Sequence, residues 1–114
     1  MAANVAQQMP LSTGLDIPGM VVREALGIVF GIVVRSLGLT GSVTASFKAL
    51  RRGEISEYTT LLEDSRRHAI DRMIENARLV GADGIVSTRF DSSMIGEHFT
   101  EIVAYGTAVR LERA

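Results

Sequence analysis

The chain of 114 residues has no cysteine, no tryptophan and only two prolines. The absence of cysteine excludes disulfide bonds, thiolate metal ligands and thiol catalysis together, so a metal site would have to use histidine and carboxylate side chains. Neither sign of charge dominates, since 12 basic side chains stand against 13 acidic ones. This balance leaves no concentrated basic surface, and the sequence therefore predicts no binding to nucleic acid or to a membrane.

Long hydrophobic runs are also missing. The most apolar stretch, residues 25–34, is far shorter than the ~20 residues that span a bilayer, and it indicates a buried strand. Residues 1–12 have neither the basic start nor the apolar core of a secretory signal, so a cytoplasmic location is expected. We expect a flexible tail at residues 1–10 and a single domain at residues 11–114.

The segment from Ser56 to Asp91 organises the rest of the chain. From Tyr58 to Val80, apolar residues recur at the spacings that place them on one face of an amphipathic helix, while charged residues occupy the other face. Ser56 suits the start of this helix, and Gly81 can adopt the left-handed conformation that ends it. The pattern predicts one long helix with an apolar face that requires a core.

The strand pattern before this helix begins with a turn at Pro18-Gly19. A short strand from Leu11 to Ile17 and a longer one from Met20 to Val34 are predicted to form a hairpin around that turn. The longer strand is apolar on both faces, so we expect both to be covered. Its glycines, Gly27 and Gly31, indicate a bulge, a close backbone approach or a contact between subunits.

Two more strands are predicted after the helix. The first runs from Gly84 to Asp91 with Val86, Thr88 and Phe90 on its core side, a hairpin loop covers Ser92 to His98, and the last strand runs from Phe99 to Leu111. One side of the last strand carries small residues, and it is the predicted seat of the long helix: Ala104, Gly106 and Ala108.

A second, shorter helix is predicted between the strand that ends at Val34 and the long helix. Ser42 can cap a short helix that ends near Leu50, followed by Arg51, Arg52 and Gly53. The paired arginines suit either an anion site or an ordinary helix C-terminus, where cations interact favourably with the helix dipole.

Apolar residues are abundant for so small a chain. Hydrophobic residues make up 46% of it and charged residues 22%. This composition suggests more apolar surface than one subunit can cover, and we therefore predict a homo-oligomer.

Few residues suit catalysis or metal binding. His68 and His98 are the only imidazoles, and they share no ligand spacing. His98 with Glu97, and with Asp91 or Glu101 near it, are candidate metal ligands, although an exposed loop histidine explains the same residues. No serine motif of hydrolases is present. No cofactor is predicted, and only a divalent metal stays open.

A small charged cluster is predicted where two strands meet. Arg89 and Asp91 project to one side of their strand, and Glu101 can face them from the next. Such a cluster suits a polar or anionic ligand, or an ion-pair network at a subunit interface. Arg23 and Glu24 permit the same two interpretations.

Several segments together resemble the YbjQ-like family of small, mostly bacterial proteins of unassigned function. They are GIVFGIVVRS (27–36), GEISEYTTLLEDSRRHAIDRM (53–73), GADGIVSTRFDSSMIG (81–96) and EIVAYGTAVRL (101–111). The resemblance implies an α+β fold: a two-layer βαββ subunit of dodecin-like type, with an extra N-terminal strand and an antiparallel sheet. It also implies a ring-shaped homo-oligomer, expected to be a pentamer.

The resemblance also suggests which positions form the structure or a site. Some family members carry a heavy-metal-binding label, but Leu26 stands where some relatives have cysteine, which argues against a soft-metal site. The positions that match the family are Gly27, Gly31, Arg35, Arg66, Gly81, Asp83, Arg89, Asp91, Glu101, Tyr105 and Gly106.

The sequence thus predicts a non-enzymatic homo-oligomer that binds a small ligand or ion between subunits, through Arg89, Asp91, Glu101 and Tyr105. One alternative is an enzyme whose interface site uses the same four residues with a carboxylate as general base. Another is a purely structural oligomer. A flavin-type stacking site is suggested only by the dodecin-like fold, and the absence of tryptophan argues against it.

Overall fold

A three-stranded antiparallel sheet carries one long helix on one face. The computed structural model describes residues 9–36, 56–97 and 99–114, with the backbone alone for 56–58. The strands follow the order β1-β3-β2 across the sheet. The elements are β1 (Met20–Ser36), α1 (Ser56–Leu79), β2 (Gly84–Ile95) and β3 (Phe99–Arg113). The α+β class, the βαββ element order and the antiparallel sheet are as predicted, while the predicted helix at Ser42 to Leu50 lies outside the described residues.

Helix α1 forms where its apolar period predicts and ends where its glycine predicts. Gly81 has a φ of 82°. Its N–H donates to the carbonyl of Arg78 at 3.0 Å, and the N–H of Ala82 donates to the carbonyl of Ala77 at 3.0 Å, the Schellman pattern. No helix in the described part of the chain is both long and apolar enough to cross a bilayer. The inner face of α1 is fully buried at Ser65, Ala69, Met73, Ile74 and Ala77.

The helix lies on small residues of β1 and β3. Ala104 and Ala108 of β3 are fully buried in the core beneath it, so the predicted seat is confirmed at these two residues, whereas the close neighbours of Gly106 belong to β2. On β1, a Cβ atom added to Gly31 would collide with the carbonyl oxygen of Ala69 and the amide nitrogen of Met73. The backbones of helix and strand are therefore in direct contact, which only glycine permits.

The N-terminal segment does not form the predicted hairpin with β1. The turn at Pro18-Gly19 is present, and the N–H of Met20 donates to the carbonyl of Ile17 at 3.0 Å. Leu11, however, forms a parallel bridge with Ile85 on the outer edge of β2, at the opposite side of the sheet from β1. Local turn chemistry predicted the bend correctly but not the partner strand. Met9, which falls in the predicted tail, is buried in the core with only 8% of its surface exposed.

Strand β2 is longer and less regular than predicted. It continues to Ile95, which pairs with Phe99, so Ser92 to Ile95 belong to the strand rather than to the loop. A bulge between Val86 and Arg89 adds a residue to β2, and Ser87 adopts a positive φ of 54°. Because of the bulge, Val86 shares a face with Arg89 and not with Phe90, contrary to the simple alternation.

The contact at Gly31 gives the first prediction. Gly31→Ala should lower the free energy of unfolding by about 2–3 kcal/mol, because the methyl group overlaps backbone atoms that cannot move independently. Gly14→Ala is the control, since a Cβ there meets only Ser12 Oγ at 3.5 Å. Urea unfolding at one protein concentration measures both variants, and equal midpoints would contradict this account of the helix seat.

Candidate functional site

The face of the sheet opposite α1, called the open face below, brings the predicted site residues together. Alternation along each strand and the pairing register decide which residues belong to it. Val86, which pairs with Thr107, also lies on this face but is buried. The uncovered part of the open face comprises Ile28, Phe30, Ile32 and Val34 of β1, Glu101, Val103, Tyr105 and Thr107 of β3, and Arg89, Asp91 and Ser93 of β2.

The β1 half of the open face is apolar and uncovered. Its four side chains are between 38% and 77% exposed, whereas the intervening Val29, Gly31 and Val33 are buried under the helix. Phe30 pairs with Tyr105 across the two strands, and Ile32 pairs with Val103, so the apolar surface continues onto β3. The prediction that β1 is covered on both sides therefore holds for only one side within a single chain.

The β2 half of the open face is polar. Arg89 pairs with Tyr105, while Asp91 pairs with Val103. Ser93 pairs with Glu101, which places Asp91 diagonally between Tyr105 and Glu101. Side chains at such diagonal positions are about 7–8 Å apart at their origins, within reach of a shared small ligand. All four predicted residues thus lie on one continuous surface.

Arg89 is held by the backbone of the N-terminal segment. Its Nη1 donates to the carbonyl of Thr13 at 2.7 Å and to that of Thr88 at 2.9 Å. The Oδ1 of Asp91 accepts a hydrogen bond from the N–H of Ser92 at 2.9 Å. Among the described residues, neither Asp91 nor Glu101 forms an ion pair with Arg89. The charged residues of the predicted cluster therefore lie on one face, but they do not form ion pairs with one another.

The other predicted pair of charges has partners on the neighbouring strand. Arg23 Nη1 lies 3.1 Å from Glu112 Oε1, and Arg110 Nε lies 3.8 Å from Glu24 Oε1. Both pairs are exposed, so each contributes less than about 1 kcal/mol. Arg23 and Glu24 thus support the pairing of β1 with β3 within one chain.

Two arginine contacts between the helix and the sheet were not predicted as such. Arg35 Nε donates to the Oγ of Ser65 at 2.9 Å, and this hydroxyl donates to the carbonyl of Leu61 at 2.8 Å. The guanidinium of Arg66 lies 5.1 Å from the ring centre of Phe90, within range of a cation–π interaction. The sequence signal for the first contact was Ser65, which lies four residues after Leu61 and four residues before Ala69 of the buried helix face.

The described residues do not offer a preformed site for a soft metal. They contain no group of three histidine, aspartate or glutamate side chains that could hold an ion. Of the weak candidates, Glu97 is exposed at a turn and His98 lies outside the described residues. His68 is exposed on the helix. A soft heavy metal prefers thiolate ligands, which this chain lacks altogether.

Comparison with known sequences shows the family to which this chain is similar. The YbjQ family model, described as "Putative heavy-metal-binding", matches residues 9–112. A UPF0145 protein of Bradyrhizobium sp. is 48% identical over 93% of this chain and 96% of its own length. A UPF0145 protein of Sulfurisphaera tokodaii is 46% identical over 87% of both chains. Since the relatives include archaeal proteins, the expectation of a bacterial family is too narrow.

A solved structure that shares the fold was found among those compared. A protein of unknown function of the DUF74 family from Pediococcus pentosaceus superposes with a TM-score of 0.65 at 14% identity. The match covers 93% of this chain and all of that one.

The family description and the residues of this chain disagree. Without cysteine, and without a cluster of ligands among the described residues, the chain does not fit a soft-metal site. The oxygen atoms of Asp91, Glu101 and Tyr105 would instead suit a hard cation or a polar organic group.

The bonds of Arg89 give the second prediction. Arg89→Lys should loosen the N-terminal segment, because an ammonium group cannot reproduce the guanidinium geometry toward the two carbonyls. Loss of one charged hydrogen bond, about 1.5 kcal/mol, should raise amide exchange at Ser12, Ser87 and Thr88 about tenfold. In the matched control, Arg113→Lys, the arginine has no such bond to another described residue. Equal amide exchange in the two variants would contradict the inference that Arg89 holds the N-terminal segment against β2.

The third prediction concerns metals. Titration with Zn²⁺ or Ni²⁺ should produce no saturable rise in the thermal midpoint, because the described residues contain no cluster of metal ligands. A metal ion that did bind would stabilise the folded state by mass action and raise the midpoint. Calorimetric scans with and without chelator measure this. A saturable rise that His98→Ala abolishes would instead establish the site at Glu97 and His98.

Proposed function

This chain belongs to the YbjQ family, and we propose that it is a non-enzymatic homo-oligomeric module whose subunits cover one another's open faces and bind a small polar ligand or ion between them. The apolar half of the open face carries the proposal. Ile28, Phe30 and Val34 are each more than half exposed, and they lie along the same face of one strand. A contiguous apolar surface of this kind on a small protein indicates an association site.

A second copy of this chain is the occupant that the surface favours. The hydrophobic content of 46% against 22% charge exceeds what one subunit of this size needs for its own core. A subunit with an apolar face gains most by burying that face against identical copies, and we expect a ring of five.

The polar half of the open face provides the ligand groups. Arg89 uses Nη1 for backbone carbonyls, which leaves its remaining N–H groups for an anionic or carbonyl oxygen. Asp91 and Glu101 lie on the same face and accept hydrogen bonds or coordinate a hard cation. Once the apolar half is buried by a neighbour, these residues border the interface, where a cleft between subunits would enclose a small ligand.

Native mass spectrometry tests both parts of the proposal. The intact chain should appear as one oligomer rather than as a monomer, and protein purified gently from its own host should carry any retained ligand as added mass. A monomer at micromolar concentration would refute the association. An oligomer without added mass, even with candidate ions supplied, would leave only a structural assembly.

The fourth prediction places the interface. Ile28→Lys should weaken association about 100-fold or more, because burying an unpaired ammonium group costs on the order of 3 kcal/mol. Ile28 is 77% exposed in the single chain, so the folded subunit should tolerate the change. Light scattering across a dilution series measures the association.

Val21→Lys is the matched control for this variant. Val21 lies on the same strand and is 46% exposed, but its partner Glu112 assigns it to the other face. An equal loss of association in both variants would contradict an interface on the open face.

A further inference from the structure

In the described part of the chain, one edge of the sheet lacks a partner strand and the other is only partly covered. No described residue pairs with the outer side of β1, which is an edge strand over its whole length from Met20 to Ser36. The outer side of β2 is covered only at its beginning, where Ile85 and Thr88 exchange backbone hydrogen bonds with Pro10 and Ser12. Beyond that point, the outer edge from Arg89 to Ile95 is open among the described residues.

From Ile28 to Val34, the β1 edge lacks the features that protect edge strands, since its two bulges and the charged residues Arg23 and Glu24 lie nearer its start. Natural edges are usually short or interrupted by charged residues and proline, which prevent pairing with another chain. Residues 26–34 (LGIVFGIVV) contain neither charge nor proline. An unprotected edge of this length is a template for a further strand.

We propose that the outer edge of β1 in one copy pairs with the edge from Arg89 to Ile95 of the next copy, an inference that rests on the proposed self-association. The two strands are parallel, because β1 and β2 each run antiparallel to β3 within a subunit. Each copy then uses two different edges, so the contact is heterologous, and it gives a closed ring when the rotation between copies closes. Closure removes every open edge, as it does in a β-barrel.

The uncovered residues on the helix side of β2 favour this pairing over one between two β1 strands. Phe90 and Met94 lie on that side and remain 37% and 60% exposed, since α1 lies mainly over β1 and β3 and reaches Phe90 through the side chain of Arg66. A neighbour that adds its own β1 to this edge also brings its α1, which lies on that strand through Gly31. Symmetric pairing through β1 would leave Phe90 and Met94 exposed and the β2 edge open.

The same pairing completes the ligand site. Arg89 and Asp91 on the open face of β2 become lateral neighbours of the aromatic and aliphatic side chains on the open face of the next copy's β1. With the bulky helices outside, the open faces turn toward the centre of the ring. The apolar half of one copy and the polar half of the next then form a single composite surface.

Disulfide trapping tests the pairing, and the natural absence of cysteine makes it specific. Ser93→Cys is combined in four double variants with cysteine at Ile28, Phe30, Ile32 or Val34 in turn, all on the open face. Within a chain β1 and β2 lie two strands, about 10 Å, apart. This exceeds the Cα separation of about 7 Å that a disulfide tolerates, so links form only between copies.

The expected result after mild oxidation is a ladder of covalently joined copies, up to the full oligomer, in at least one double variant. Each single variant should remain unlinked, because equivalent residues of adjacent copies are three strands, about 14 Å, apart. Covalent dimers from a single β1 variant, without a ladder in any double variant, would establish symmetric β1 pairing and overturn the proposal.

Native mass spectra of the cysteine-free chain distinguish a failure of the edge pairing from a failure of self-association. If the chain is oligomeric but no double variant is linked, the edge pairing is wrong and the proposed function stands. If the chain is monomeric, the association itself fails.

Discussion

The contact between the backbone of α1 and Gly31 of β1 determines most of the structure. Because residue 31 has no side chain, the helix rests on the strand itself, and Asn76 Nδ2 reaches the carbonyl of Phe30 at 2.8 Å. Small residues on β3, Ala104 and Ala108, extend the same close seat. A helix held this low over β1 and β3 cannot also cover the far half of β2. Its position thus decides which surfaces of the sheet are left for other molecules.

The remaining surfaces follow from that position. One helix covers one face of a three-stranded sheet, so the alternate side chains of β1 stay in water, although they are as apolar as the buried ones. The bulge at Ser87 and the segment bound along Ile85 to Thr88 protect only the first part of the β2 edge. Among the described residues, an open face, an open edge and a partly exposed Phe90 are therefore three consequences of one packing arrangement. Identical copies can satisfy all three at once, which a ligand or an unrelated partner at one of them cannot.

The sequence predicted what local periodicity controls. The helix, its end at Gly81 and its small-residue seat on β3 all follow from spacing, and the common face of Arg89 and Asp91 follows from strand alternation. The exposed side of β1 could not be predicted, because every residue of that stretch is apolar and alternation leaves no signal. The pairing of the N-terminal segment with β2 was missed for a different reason. It depends on hydrogen bonds between residues more than 70 positions apart, such as Arg89 to Thr13, which no local turn pattern reports.

The chemistry of the site narrows its ligands more than the family description does. Arg89 is oriented by two carbonyls, so it presents a fixed donor edge rather than a mobile charge. Asp91 and Glu101 are oxygen ligands within one strand spacing of it, and the chain has no sulfur thiolate to add. This set of groups disfavours soft metals. It favours a polar molecule that accepts a hydrogen bond from the guanidinium and donates hydrogen bonds to the carboxylates, or one that binds together with a hard cation. In the proposed assembly, the apolar side chains of β1 in one copy would enclose a ligand held by the polar groups of the next. Ligand selectivity would then depend on self-association, because a single subunit has the polar groups without the enclosing surface.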